Sequence, residues 1–127
     1  DELGSNIELA GKLEKLGITL MFNAPRDHNY HLIRQGAGVA VANGMTYAGA
    51  LKALTLSPVE VFKLGNRGEI APGKIADLII WDADPLEPSS MPEQIFINGV
   101  DIDLTSRMSR LTERYINNKE KPNGYRN

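Results

Sequence analysis

Apolar and polar positions follow two different rhythms along this chain, and the change falls between Lys63 and Arg67. Before it the period is helical. Ile7, Ala10, Leu13 and Leu16 form one stripe, opened by Ser5-Asn6-Ile7-Glu8 in capping-box order and closed by Gly17. Ile18–Phe22 is then a short, mostly apolar run between Gly17 and the turn signal Asn23-Ala24-Pro25, which predicts a buried strand. Helix, glycine, strand and turn in that order make half of a βαβ crossover. A second helix is expected over 31–43, rich in Gly and Ala and stopped by Gly44. Thr46 caps a third helix carrying Ala50, Leu51 and Leu54. Ser57-Pro58-Val59-Glu60 starts a fourth that ends by Gly65.

After Arg67 the rhythm shortens. Gly68, Pro72 and Gly73 punctuate a loop, 76–81 reads as a strand, and Asp84-Pro85 breaks it. Residues 94–97 and 100–102 flank Asn98-Gly99, the dipeptide of a type I′ hairpin turn. Thr105 or Ser106 caps a last helix with Met108, Leu111 and Tyr115 on one face; its Arg107, Arg110 and Arg114 read as a solvated face. These elements divide the chain into 1–65, 66–104 and 105–127. One strand cannot make a sheet, and three make an open one. The strands at Ala76 and Ile95 should therefore carry open edges, and the chain should form a homo-oligomer or associate with a missing N-terminal portion.

Composition narrows the chemistry. The chain has 127 residues, a formal charge of −2 and no cysteine, which removes disulfides, thiolate metal sites and thiol catalysis. A pI near 5.7 does not suit a nucleic-acid binder, and no apolar run is long enough to cross a membrane. Asp1-Glu2-Leu3 offers no start Met, so the chain is expected to begin inside something larger. The two histidines, His28 and His31, stand three residues apart. Asp27 and His28 lie in the loop leaving the expected strand, where α/β architectures keep their chemistry, and are able to bind a metal or move a proton. The plainer alternative makes Asp27 a helix-start acid beside a solvated His28.

Longer patterns add a resemblance. His28-Asn29, the run from Gln35 to Met45 and Ala50–Pro58 resemble the last helices of the metal-dependent amidohydrolase superfamily. Gly68–Leu86, G-E-I-A-P-G-K-I-A-D-L-I-I-W-D-A-D-P-L, resembles the segment in which those enzymes return from barrel to small β-domain. The similarity is greatest to the imidazolonepropionase/prolidase-like branch. It implies an α/β fold: the C-terminal fragment of a (β/α)8 TIM barrel, its last strand and helices, joined to part of a small β-sandwich. A whole barrel needs about 250 residues.

It also implies a parent enzyme that hydrolyses C–N bonds of a small-molecule amide or cyclic amide. Metal-activated water would do so, with zinc the expected divalent ion and its His ligands upstream. This fragment alone should bind no metal and be inactive. The family's Asp at the end of the eighth strand should be present, yet Asn23 stands there. An alignment on His28-Asn29 puts Pro25 there instead. Asn cannot take a proton from a metal-bound water. Asp27, the nearby carboxylate, is then the candidate catalytic base, with His28 as a substrate contact. The alternative is a non-catalytic binding or assembly module descended from such an enzyme.

Overall fold

The computed structural model describes residues 6–24, 30 and 32–117. Five helices and three strands follow one another: α1 (Leu9–Lys15), α2 (Ile33–Ala42), α3 (Tyr47–Leu54), α4 (Leu56–Phe62), β1 (Leu78–Trp81), β2 (Pro92–Ile97), β3 (Val100–Asp101) and α5 (Arg107–Asn117). The helices α1 to α4 pack together and the strands form one open antiparallel sheet in the order β1-β2-β3.

Small side chains set the helical packing. Ala37, Ala40, Ala50 and Ala53 are buried with Met45 and Leu86, while Leu20, Phe22, Leu51 and Leu54 pack around them. Alanine brings helix axes close together but buries little area, so each contact contributes modestly. Glycine extends the approach: a Cβ at Gly38 on α2 would stand 2.8 Å from the Leu86 carbonyl oxygen. Thr46 caps α3 as expected, its hydroxyl accepting from the Gly49 N–H at 3.0 Å. Glu14 of α1 completes that cap. Its carboxylate accepts from the Thr46 N–H at 2.7 Å and from the Thr46 hydroxyl, placing negative charge at the start of α3. Gly49 makes room for it, since a Cβ there would collide with Glu14 Oε1.

The hairpin forms as the dipeptide requires, with Asn98 at φ 52° and Gly99 at φ 76°. Asp77 fixes its tip from outside. One carboxylate oxygen accepts from the Asn98 N–H at 2.8 Å and the other meets Arg67 Nη1 at 3.0 Å. The preceding loop folds down on α4 at Gly68, whose φ of 88° suits glycine and whose Cβ would lie 2.8 Å from Val59 Cγ2.

Four expectations need correction. Residues 18–22 form no strand: among the described residues no other strand lies beside them to complete a ladder, and Ile18 and Met21 are exposed. α1 starts at Leu9 with Glu8 in the cap position, so Glu8 is not the third helical residue of a capping box; its side chain binds Lys12 Nζ at 2.8 Å and Asn6 Oδ1 accepts from the Glu8 N–H. Ser5 lies outside the described residues. The fourth helix starts at Leu56, so Ser57 is a buried first-turn residue. Thr55 holds the cap position but turns its hydroxyl to the Leu51 carbonyl at 2.8 Å. Finally, the strand at Ile95 is central, paired with β1 on one side and β3 on the other; the outer strands are β1 and β3.

Two outcomes follow. Gly38→Ala must push α2 away from Leu86, and urea unfolding should show a loss of about 1–3 kcal/mol; an unchanged midpoint would contradict that contact. The Thr46 hydroxyl, and then the Thr46 N–H, hold the Glu14 carboxyl below its ordinary value of 4.5. A depressed folded-state value stabilises the fold above the ordinary one, and the benefit disappears as pH falls through the folded value. The Tm advantage of the wild type over Glu14→Gln should thus be full at neutral pH and shrink steadily below pH 4.5.

Candidate functional site

The segment leaving α1 is where sequence reasoning places the chemistry. Gly17, at φ 73°, turns the chain, and the Ile18 N–H returns to the Leu13 carbonyl at 3.1 Å. Residues 18–24 then run without backbone hydrogen bonds to any other described element. Grooves open on both flanks, the first apolar and the second mixed. One, of about 310 Å³, lies among Ile7, Leu13, Met21, Phe22 and Val39. The other, of about 180 Å³, lies among Glu14, Ile18, Leu20, Met45 and Lys52.

Asn23 is exposed near the end of this segment and forms no hydrogen bond with another described residue. It is neutral, so it is no base. Asp27, His28 and His31 lie outside the described residues. Among the described residues no three His, Asp or Glu side chains gather in a way that would hold a metal ion. The donor set described here does not fit a zinc site.

The carboxylates of the family-like segment are engaged in architecture. Asp82 Oδ1 accepts from the Met91 N–H at 2.8 Å. Asp84 Oδ1 accepts from the Leu86 N–H at 2.8 Å and from the Tyr47 hydroxyl at 2.9 Å, while the Ser90 hydroxyl donates to the Asp84 carbonyl. Burial first, and then the Asp84 carboxylate, push the Tyr47 pKa up, so the phenol remains a neutral donor at neutral pH.

The residue that sequence reasoning missed is Arg34. From α2 it donates Nη1 to the carbonyls of Pro85 at 2.5 Å and Glu87 at 3.2 Å, and Nη2 to that of Ser90 at 3.2 Å. Its guanidinium carbon lies 4.2 Å from the centroid of the Trp81 ring. The planar fork thus bonds three carbonyls while its face covers an aromatic ring, a combination no lysine reproduces. A β-bulge between Ile80 and Trp81 re-aims the strand end at this place. No sequence signal marked it, because its partners are main-chain carbonyls 51 to 56 residues away.

An open antiparallel sheet, an Ala-lined helical layer and a W-D-x-D-P-L connection bound by an arginine together define the class. A model of the amidohydrolase family matches residues 5–110, and the chain belongs to that family. The chain is similar to amidohydrolase tasK of Hapsidospora irregularis, 39% identical over 57 residues, 44% of this chain and 6% of that protein. It is also similar to adenine deaminase 2 of Shouchella clausii (strain KSM-K16), 46% identical over 48 residues, 38% of this chain and 8% of that protein. Among solved structures, an amidohydrolase from Thermotoga maritima MSB8 superposes with a TM-score of 0.69 at 29% identity, over 77% of this chain and 26% of that one. The chain thus spans a small part of each relative's length.

Arg34→Lys leaves the charge but loses the fork, and Arg34→Met loses both. Either should cost about 1.5–3 kcal/mol in urea unfolding, with Lys rescuing little of it. Full rescue by Lys would mean that charge alone sustains the contact.

Proposed function

We propose that this chain is the C-terminal share of an amidohydrolase-type hydrolase that cleaves C–N bonds, non-peptide or dipeptide amides, in a small-molecule substrate. The observation that carries this reading is the family match over residues 5–110, supported by the close superposition on an amidohydrolase structure. A relative named adenine deaminase supports a C–N bond as the target. On this reading, 18–22 takes the place of the last strand of a (β/α)8 barrel. The open grooves on its flanks receive the neighbouring barrel elements, and β1 to β3 form the C-terminal part of a composite sandwich. The closest branch by motif is the imidazolonepropionase/prolidase-like one.

Enzymes of this kind work through water activated by a divalent metal, zinc first among them. On this reading the ion's ligands come from outside the described residues, the family's His ligands from upstream. The base is then Asp27, with His28 beside it for substrate. The chain's described residues supply the frame: Arg34 holds α2 against the sheet connection, and Asp84 orders that connection at Leu86 and ties it to Tyr47 of α3. The neutral, exposed Asn23 favours one second reading, a module kept for binding or assembly after catalysis was lost.

Elemental analysis and an amide-hydrolysis screen on the 127-residue chain should find neither stoichiometric zinc nor turnover. Tightly bound zinc with turnover would overturn the proposal. In a longer polypeptide carrying the remaining barrel, Asn23→Asp separates the two readings. A rise of about 10²-fold or more marks a base lost by substitution. Unchanged activity in an already active enzyme assigns the base to Asp27, and Asp27→Asn should then abolish it.

A further inference from the structure

Asn-Gly pairs stand at Asn43-Gly44, Asn98-Gly99 and Asn123-Gly124, the last outside the described residues. Such a pair carries chemistry of its own. Glycine has no Cβ to shield its nitrogen, which is therefore able to reach Cγ of the preceding asparagine. A bond forms between that nitrogen and Cγ, the Cγ–Nδ2 bond breaks, and the glycine N–H proton leaves with the departing ammonia. The product is a succinimide. Water then opens either carbonyl of the ring, leaving aspartate or isoaspartate. One water is taken up, one ammonia is released, and nothing is oxidised.

The two described pairs are held differently. At Asn43 both reacting groups are engaged: Nδ2 donates to the Val39 carbonyl at 2.8 Å, and the Gly44 N–H to the Val41 carbonyl at 3.2 Å. At Asn98 the carboxamide is exposed and forms no hydrogen bond with another described residue. The Gly99 nitrogen is held, its N–H donating to the Ala76 carbonyl at 2.9 Å. Asp77, the next residue, accepts from the Asn98 N–H at 2.8 Å and is itself paired with Arg67. Ring closure swings the Asn98–Gly99 peptide about the Asn98 Cα–C bond, and the nitrogen must first leave Ala76.

We propose that Asn98 is a site of self-modification latched by Ala76 and Asp77, and that opening of the hairpin tip sets off isoaspartate formation there. The tip is able to open by itself. β3 is two residues long and pairs only with Phe96 and Ile97, so its release leaves the β1–β2 ladder in place. The product does not relatch. Isoaspartate routes the backbone through Cβ and Cγ, adding an atom to a turn that joins Ile97 and Val100 through two residues. Either product also sets a new carboxylate near that of Asp77, where like charges repel. The modification is thus a one-way release of β3 from the sheet.

Incubation of the folded 127-residue chain at neutral pH, followed by peptide mapping that resolves isoaspartate, reads each pair separately. Asn98 should be modified before Asn43. Its rate should be about tenfold or more below that of the same pair in a free peptide, because only the opened tip reacts. Asp77→Ala removes half of the latch and should speed Asn98 about fivefold or more, with Asn43 unchanged. Circular dichroism establishes that this variant is folded. Low urea tests the same latch in the wild type: the Asn98 rate should rise in step with hydrogen exchange at the Gly99 amide. The proposal is overturned if Asn43 reacts first, or if Asn98 in the folded chain matches the free peptide. It is equally overturned if the Asn98 rate ignores Asp77→Ala in a folded chain, or ignores Gly99 exchange.

Discussion

The fold depends on one cation placed where backbone carbonyls converge. The connection between β1 and β2 contains Pro85 and Pro88, and Pro92 opens β2, so its peptide groups cannot satisfy each other through a regular ladder. The Glu87 carbonyl takes the Ser90 N–H at 3.2 Å, and it and those of Pro85 and Ser90 face α2. Arg34 gathers all three and rests its flat face on Trp81, joining α2 to the sheet through a single side chain. Gly38, one helical turn on, allows Leu86 to enter the Ala-lined core from that same connection. Arginine and glycine thus act as a pair: one draws the connection in, the other makes space for it.

That economy leaves much apolar surface uncovered. The accessible area is 10209 Å², against about 6,700 Å² for a compact monomer of 14.0 kDa. Much of the uncovered apolar surface lies on α1, the 18–22 segment and the sheet, as at Leu16 (75% exposed) and Val100 (62%). A core built largely from alanine gains little per residue, and the burial that usually offsets chain entropy is reduced accordingly. The grooves flanking 18–22 and the outer strands of the sheet have the chemistry of interfaces rather than of solvated surface.

Local rules carried the sequence reading a long way. Thr46 caps α3, Gly44 follows α2, and Asn98-Gly99 turns the hairpin, because each depends on a few neighbouring residues. The failures are cases where a competing partner, near or far, decides. Ile18–Phe22 has the composition of a strand, but a strand exists through its neighbour. Glu8 satisfied a capping pattern and instead chose Lys12, one turn ahead. Ser57 resembled a cap and became buried inside the first turn of α4. Arg34 was invisible because its partners are 51 to 56 residues away and are main-chain atoms, which carry no sequence signature.

The same distinction bears on what the family match means for chemistry. In the stretch that identifies the family, Asp77 ties the hairpin tip, Asp82 holds Met91, and Asp84 orders Leu86 and Tyr47. Each carboxylate accepts from backbone or phenol donors, which occupy lone pairs a base would use. A motif whose acids are consumed in this way transmits architecture, not reactivity. The arginine clamp acts in the same sense. Its donors go to main-chain carbonyls and its flat face to Trp81, so what this stretch conveys is the position of α2 against the sheet connection.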